Sequence, residues 1–145
     1  MRFAQRHRIT DACLLVESVE RSIAFYVGRL GFTLRRKAEG FADFTGAGLT
    51  LAVWEGDHMS RTTGVANRRA TAGVRKAIIA VEVSSPSEVN EAHRELVAAG
   101  VAFEQPPADY PWNARCAYFA DPDDNLWEIY AWLDGGPEAS HAISS

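Results

Sequence analysis

Apolar and polar residues alternate along the last predicted strand of the chain, and this alternation places a carboxylate among apolar side chains. Leu126, Glu128 and Tyr130 point to one face of the strand, and Trp127 and Ile129 point to the other. A charge at such a position is costly to bury, so it is usually paired, bound to a metal or turned towards a cavity. The pattern predicts a binding or catalytic group at Glu128, with a solvent-facing surface as the alternative.

The five residues before this strand have the chemistry of a tight turn. Residues 121–125 read Asp-Pro-Asp-Asp-Asn, in which Pro presets φ while Asp and Asn tolerate left-handed conformations. The residues on the other side of the turn, 117–120, are apolar or aromatic. Strand, turn and strand together predict a closing hairpin.

The first half of the chain predicts a strand, a helix and three further strands. Residues 9–16 are rich in Leu and Val, and Ser18 can cap a helix whose apolar residues recur at helical spacing until Gly31. Three short strands separated by glycine-containing turns follow, over residues 32–36, 40–45 and 49–54.

The second half repeats the same β-α-β-β-β order. Residues 77–83 form a strand, a helix starts at Pro86 or Ser87, and Gly100 ends that helix. The last three strands are expected over residues 101–104, 116–120 and 126–132. Alignment of the two closing hairpins places Leu51 opposite Glu128 in the repeat.

Each module is too small to cover its own sheet, so the two are expected to combine into a single domain. Module one covers about residues 7–56, a linker about 57–75, module two about 76–133 and a flexible tail about 134–145. We predict an α+β fold whose modules form a curved eight-stranded mixed sheet around a cavity, with the helices outside.

Charge and composition exclude several classes of function. The net charge of −4 argues against a nucleic-acid partner. The longest apolar run, residues 77–81, is too short for a membrane span, and the N-terminus lacks the apolar run of a secretory signal. Cys13 and Cys116 are too few for a disulfide framework and are expected to be reduced core thiols. These features predict a cytoplasmic protein with no membrane partner.

Two motifs resemble those of the vicinal oxygen chelate superfamily, which includes glyoxalase I, extradiol dioxygenases and the fosfomycin- and bleomycin-resistance proteins. Residues 9–32 resemble its opening strand and helix, with the Ser-x-x-Phe-Tyr and Leu-Gly-Phe signatures. Residues 121–128 resemble its closing Asp-Pro-Asp-Gly-Asn-x-x-Glu motif. The resemblance extends over about residues 7–133 and implies the paired β-α-β-β-β fold.

The resemblance also implies four metal-ligand positions, and this chain departs from the pattern of the metalloenzymes there. The positions are occupied by Asp11, Leu51, Ile78 and Glu128. Two carboxylates without an imidazole hold a divalent ion weakly. We therefore expect no metal or other cofactor, a divalent metal being the disfavoured alternative, and we expect His58 to be a solvated loop residue.

Without a metal, the residues left for the predicted cavity are aromatic and acidic. The candidate site residues are the anchors Asp11 and Glu128 and the ligand-binding side chains Trp54, Tyr110, Trp112, Arg115 and Tyr130. Aromatic rings stack on flat ligands, and carboxylates favour cationic ones. A surface salt bridge is the alternative for Arg115.

This pattern resembles the metal-free bleomycin-resistance-like binders. That resemblance implies a homodimer that sequesters an aromatic or cationic small molecule, such as an antibiotic, without turnover. The alternative is a glyoxalase-like lyase or isomerase, in which Asp11 and Glu128 act as acid and base or as partial metal ligands. A third alternative is a cavity closed by the protein's own side chains.

Overall fold

A computed structural model describes residues 2–46, 48–68 and 73–139 of the 145-residue chain. The chain divides into two compact units, Met1–Arg69 and Ala70–Ser145. Across the described parts of the chain, eight strands pair into two four-stranded mixed sheets, which confirms the predicted α+β class. No helix in these three ranges has the length and apolar character needed to span a bilayer.

The first unit is a four-stranded mixed sheet with a helix packed against it. Its elements are α1 (Phe3–Arg6), β1 (Asp11–Val16), α2 (Val19–Tyr26), β2 (Thr33–Ala38), β3 (Phe41–Thr45), β4 (Thr50–Glu55) and α3 (Gly56–Thr63). The strand order is β1-β4-β3-β2, in which β1 and β4 run parallel and the other pairs are antiparallel. Helix α2 packs against β3 and β4.

Local capping determines where α2 lies. The Ser18 side chain accepts a hydrogen bond from the Arg21 backbone N–H at 3.2 Å, as its cap position predicts. Glu55, at the end of β4, accepts from the Val19 backbone N–H at 3.0 Å and so joins the helix N-terminus to the sheet. The helix ends at Tyr26, and Gly31 takes the left-handed conformation (φ +84°) that reverses the chain into β2.

The second unit repeats this arrangement. Its elements are β5 (Ile78–Glu82), α4 (Pro86–Ala98), β6 (Phe103–Tyr110), β7 (Ala114–Ala120), β8 (Leu126–Trp132) and a 3₁₀ helix (Gly136–Ala139). The strand order is β5-β8-β7-β6, with β5 and β8 parallel, and α4 packs against β6, β7 and β8. Ser85 caps α4 by accepting from the Glu88 N–H at 3.3 Å.

Aromatic contacts show which face of the second sheet meets α4. The His93 ring of α4 contacts Phe103 (centroids 4.5 Å apart), Phe103 contacts Phe119 (5.4 Å), and Phe119 stacks on Trp127 (5.9 Å). Trp127 is therefore on the helix side, as its alternation with Glu128 predicts. Glu128 points to the opposite face of the sheet.

Strand β6 is twice as long as the predicted strand over residues 101–104. The predicted strand ended before Pro106 and Pro107, which cannot donate to a β-ladder. In the structure β6 is an edge strand whose pairing with β7 is irregular around these prolines. An edge position tolerates proline because one side of the strand needs no donors.

The predicted linker over about residues 57–75 contains most of a helix, α3. Met59 is buried, α3 packs on β4, and Gly64 ends the helix with φ +79°. Packing rather than sequence periodicity therefore stabilises α3. Residues 69–72 of the linker and 140–145 of the predicted tail lie outside the described residues.

A fully buried carboxylate joins β3, a middle strand of the first unit, to the edge strand β2. Asp43 of β3 is 0% exposed, and Arg35 and Arg36 of β2 both donate to it. The pairing of β2 with β3 is shifted between Leu34 and Arg36, and this bulge lets two consecutive arginines reach one carboxylate. The pKa of Asp43 lies well below its usual value, mainly because of the hydrogen bond from Arg35. The hydrogen bond from Arg36 lowers this pKa further, whereas burial raises it.

Replacement of Asp43 by Asn should lower the free energy of unfolding by about 3 kcal/mol at pH 7, because it leaves two arginines without their buried charge partner. The folded pKa of Asp43 is depressed, so its stabilising effect is complete above the unfolded pKa of about 4 and is lost as pH falls below it. Urea unfolding at several pH values should therefore show the wild type and Asp43→Asn converging in acid.

The matched control is Glu20→Gln, which removes the exposed Glu20–Lys37 pair and should cost less than about 1 kcal/mol. Equal stability of Asp43→Asn and Glu20→Gln at pH 7 would contradict the structural importance of the buried pair.

Candidate functional site

Glu128 lies in the middle of β8 and is half-buried. Tyr118 lies opposite it on β7, and the Tyr118 hydroxyl donates to Glu128 Oε2 at 2.5 Å. Burial first, and then the hydrogen bond to Glu128, raise the pKa of Tyr118 far above its usual value. Tyr118 is therefore a protonated donor that orients the carboxylate.

Two aromatic rings lie beside this pair. Tyr110 and Trp112 stack with centroids 4.6 Å apart and ring planes 16° from parallel, and Tyr110 meets Tyr118 edge-on at 5.9 Å. The turn between β6 and β7 holds Trp112 there: Asn113 has φ +63° and its N–H donates to the Tyr110 carbonyl at 3.0 Å. Asn tolerates this left-handed conformation better than most residues.

Cys116 forms the buried floor of the same surface. Burial is the main cause that raises the pKa of its thiol, the Glu128 charge adds to the shift, and a hydrogen bond with Trp112 opposes it. Cys116 therefore remains a protonated thiol beside Trp112, and its predicted place in the core is confirmed. Cys13 of β1 is exposed, so the same prediction is wrong for Cys13.

A second carboxylate occupies the far end of this surface. Glu82 of β5 lies opposite Tyr130 and accepts a hydrogen bond from the Trp132 indole N–H at 3.0 Å. Tyr130 and Trp132 meet edge-on at 5.6 Å. Burial, followed by the charge of Glu82, raises the pKa of Tyr130. We name the surface formed by Tyr110, Trp112, Cys116, Tyr118, Glu128 and Tyr130 the Glu128 face.

The turn before β8 determines the register of the Glu128 face. The Asp121 carboxylate accepts from the backbone N–H groups of Asp123 (2.9 Å) and Asn125 (2.8 Å), and Asp124 takes φ +65°. This is the Asx chemistry that the motif predicts. It places Tyr118 opposite Glu128 because the β7–β8 pairing is regular from Ala120–Leu126 outward.

Arg115 is not part of the Glu128 face. It lies on the α4 side of the sheet, where its Nε donates to Asp109 at 2.8 Å and its Nη1 to Asn90 of α4 at 3.2 Å. The alternative salt-bridge interpretation of Arg115 is therefore the one that the structure shows.

Asp11 and Trp54 belong to the first unit. Asp11 begins β1 opposite Thr50, and Trp54 lies near the far end of β4, opposite Leu15. The two residues share a face of the sheet, but the length of the strands separates them.

His58 lies on α3 rather than in a loop, so the prediction of a solvated loop residue is wrong. The Trp54 indole N–H donates to His58 Nδ1 at 3.0 Å, and the Trp54 ring meets Phe41 edge-on at 6.3 Å. The polar edge of Trp54 is therefore engaged by its own unit.

The register corrects one of the four ligand positions. Asp11 and Ile78 occupy the same position in the two units. Asp11 lies opposite Thr50 on β4 and Ile78 lies opposite Leu126 on β8, so Thr50 corresponds to Leu126. Glu128 is two residues after Leu126, and its counterpart is therefore two residues after Thr50. That residue is Ala52. Leu51 is buried on the α2 side, where its neighbour Phe44 contacts Tyr26 (5.6 Å).

The corrected positions also fail to fit a divalent metal, because Ala52 and Ile78 have no donor atoms. Among residues 2–46, 48–68 and 73–139, no group of three or more His, Cys, Asp or Glu side chains is arranged to hold a metal ion.

Sequence reasoning missed the partners of the candidate residues. Neither Tyr118 nor Glu82 is among the site residues that the sequence predicts. The turn at residues 121–125 carried a usable signal for Tyr118, because counting outward from it pairs residue 120 with 126 and residue 118 with 128. No comparable local signal links Glu82 to Tyr130, since β5 and β8 are far apart in the chain and pair in parallel.

Two β-α-β-β-β units, the second closed by a hairpin that bears a carboxylate, define a class of α+β proteins built by duplication. The profile of the Glyoxalase/Bleomycin resistance protein/Dioxygenase superfamily matches residues 7–129, and the chain belongs to this superfamily.

Several relatives share this fold. A glyoxalase/bleomycin resistance protein/dioxygenase from Nocardioides is 47% identical, with a TM-score of 0.85 and coverage of 91% of this chain and 87% of the other. A glyoxalase-related enzyme from Fulvimarina pelagi is 27% identical, with a TM-score of 0.71 and coverage of 86% and 87%. The uncharacterized protein YraH of Bacillus subtilis (strain 168) is 30% identical over 125 residues, which are 83% of this chain and 94% of YraH.

Replacement of Tyr118 by Phe tests the environment of Glu128. Because the pKa of Tyr118 is raised, Tyr118 should stay protonated in the folded protein up to about pH 11, above the ordinary tyrosine pKa of about 10. The tyrosinate absorbance change at 295 nm should therefore be the same in folded wild type and in folded Tyr118→Phe over this range. In guanidinium chloride the wild type should titrate one tyrosine more than the variant. An extra titrating tyrosine in the folded wild type would contradict the buried hydrogen bond.

Proposed function

We propose that this protein is a small-molecule-binding member of its superfamily, and that the Glu128 face captures a flat aromatic ligand that carries a positive charge. The observation that supports this proposal is a half-buried carboxylate surrounded by aromatic rings on the sheet face opposite α4. Capture is stoichiometric and breaks no bond.

The Glu128 carboxylate is oriented but still has acceptor capacity. Tyr118 supplies one hydrogen bond to Oε2, whereas an ionised carboxylate has about four acceptor positions. A cationic N–H group can therefore bind the same carboxylate without displacing Tyr118. Such a charge-assisted contact is stronger away from bulk water, because the local dielectric is lower.

The aromatic residues supply the flat part of the site. The stacked Tyr110–Trp112 pair is half-buried, so each ring is supported while part of it stays accessible. Tyr130 lies two residues beyond Glu128 on the same face of β8 and is also half-buried. A planar cation gains from stacking and from cation–π attraction on such rings, by about 0.5–2 kcal/mol for each well-placed contact.

Three finer features accompany this proposal as predictions. The resemblance to metal-free binders implies a homodimer and an antibiotic as one ligand of this chemistry, and the sequence features predict a cytoplasmic location. Asp11 and Trp54 of the first unit remain predicted ligand-binding residues.

Binding of proflavine, a flat aromatic cation, should quench tryptophan fluorescence in a saturable way. Glu128→Gln removes the anchoring charge and should raise the Kd about tenfold, the effect of losing a hydrogen bond between charged groups. Glu95→Gln changes the net charge equally at an exposed position on α4 and should leave the Kd unchanged. Neutral 9-anthracenemethanol should bind both variants alike. A Kd for proflavine that Glu128→Gln does not change would contradict the proposal.

One observation favours an enzyme as the second candidate. Tyr118 orients the Glu128 carboxylate through its hydrogen bond, and a half-buried carboxylate held in this way can accept a proton from a bound substrate. In that case Asp11 and Glu128 keep their predicted roles as acid and base or as partial metal ligands.

Metal analysis separates the two candidates. If the protein is a metal-free binder, the purified chain should contain far less than one equivalent of Ni, Zn, Mn or Fe, and EDTA should not change its affinity for proflavine. About one divalent ion per chain, lost together with activity in Glu128→Gln, would instead favour the enzyme.

A further inference from the structure

The first unit contains an open cavity of about 460 Å³ that is independent of the Glu128 face. It lies where β1 begins and where β3 turns into β4. Its polar lining comes from Arg8, Thr10, Arg35, Thr45 and Thr50. We name it the Arg35 cavity. A volume of this size suits a small organic molecule.

The lining of the Arg35 cavity is cationic. It contains two guanidinium groups, those of Arg8 and Arg35, and none of its lining residues is acidic. Two carboxylates interact with these arginines: Asp43 binds Arg35 and Arg36, and Asp11 acts on Arg35 through its charge. Three guanidinium groups against these two carboxylates leave a net positive charge, which favours an anion.

Arg35 is held in place for such a ligand. Its Nε donates to Asp43 Oδ1 at 3.0 Å and its Nη2 to Asp43 Oδ2 at 2.7 Å. A guanidinium has five N–H donors, so this fork leaves donors for a second partner. The side chain is 44% exposed although Asp43 is fully buried. The buried carboxylate therefore fixes the orientation of an accessible cation, which lowers the entropy cost of binding.

The remaining wall of the cavity is apolar. Ile9 is 89% exposed and Leu49 is 42% exposed, and the two face the cavity together with Phe44. Exposed aliphatic side chains beside the guanidinium groups of Arg8 and Arg35 favour a ligand with an anionic head and an apolar tail. The hydroxyl groups of Thr10, Thr45 and Thr50 add neutral hydrogen-bond donors around the head.

We propose that the Arg35 cavity binds a small organic carboxylate with an apolar tail. Arg35 and Arg8 bind the carboxylate head, and Ile9 and Leu49 contact the tail. A carboxylate fits the planar guanidinium fork and the single excess positive charge. This site rests on the first unit alone, so it stands or falls independently of the proposed function at Glu128.

Hexanoate is the probe, and two-dimensional ¹H–¹⁵N NMR of the full chain is the measurement. Hexanoate should cause saturable shifts in the amide signals of Thr10, Thr45, Gly46 and Gly48. It should bind at least about fivefold more tightly than acetate, because its longer tail buries apolar surface. Hexylammonium, with a tail of similar length and the opposite charge, should cause no saturable shifts at these residues, and inorganic phosphate should bind more weakly than hexanoate.

Arg8→Gln should raise the Kd for hexanoate about tenfold, as expected for losing a hydrogen bond between charged groups. Arg8 lies before β1 and is exposed, so the fold does not depend on it. Arg94→Gln, at an exposed position on α4 of the second unit, and Glu128→Gln should leave the Kd unchanged.

Four results would overturn the proposal. The first is the absence of saturable shifts up to about 50 mM hexanoate, which corresponds to negligible affinity. The second is an equal increase of the Kd for hexanoate in Arg8→Gln and Arg94→Gln. The third is binding of hexylammonium at the same residues. The fourth is phosphate or acetate binding as tightly as hexanoate, which would show that the apolar wall contributes nothing.

Discussion

The register of the last hairpin is the constraint on which the chemistry of the second unit depends. Asp121 organises the turn, and the regular pairing that follows places Glu128 opposite Tyr118 and on the face away from α4. A slip of one residue would move Glu128 to the helix side and bring Trp127 out of its stack with Phe119. A buried unpaired charge and a lost aromatic contact both oppose such a slip, so the turn and the core specify the same register.

The first unit has the same topology and a different distribution of charge. At the position that corresponds to Glu128 it has Ala52, and its buried carboxylate is Asp43, one strand away. The bulge in β2 brings two arginines to that carboxylate, and the surroundings become cationic. The two β-α-β-β-β units thus share one topology but have an acidic aromatic face in one copy and a basic cavity in the other. This is possible because the strand order and pairing can stay the same while the side chains on them change.

Much of the fold could be predicted from local patterns. The Ser18 cap, the Gly31 and Gly100 terminations and the turn at residues 121–125 occur as expected, because each depends on backbone chemistry within a few residues. Prediction was less successful where packing or pairing decided the outcome. Helix α3 depends on its contact with β4, β6 continues past two prolines at a sheet edge, and the hairpin alignment placed Leu51 one residue away from the true counterpart Ala52.

The amino-acid sequence by itself determined the order of the elements, the alternation that separates Glu128 from Trp127, and the family to which the chain belongs. These follow from local periodicity and from short motifs. Only the tertiary structure decided which residues meet: Tyr118 with Glu128, Arg35 and Arg36 with Asp43, Trp54 with His58, and Arg115 with Asp109 and Asn90. The reason is physical, since each pairing requires a sheet register, a bulge or a packed helix that brings together residues from separate elements.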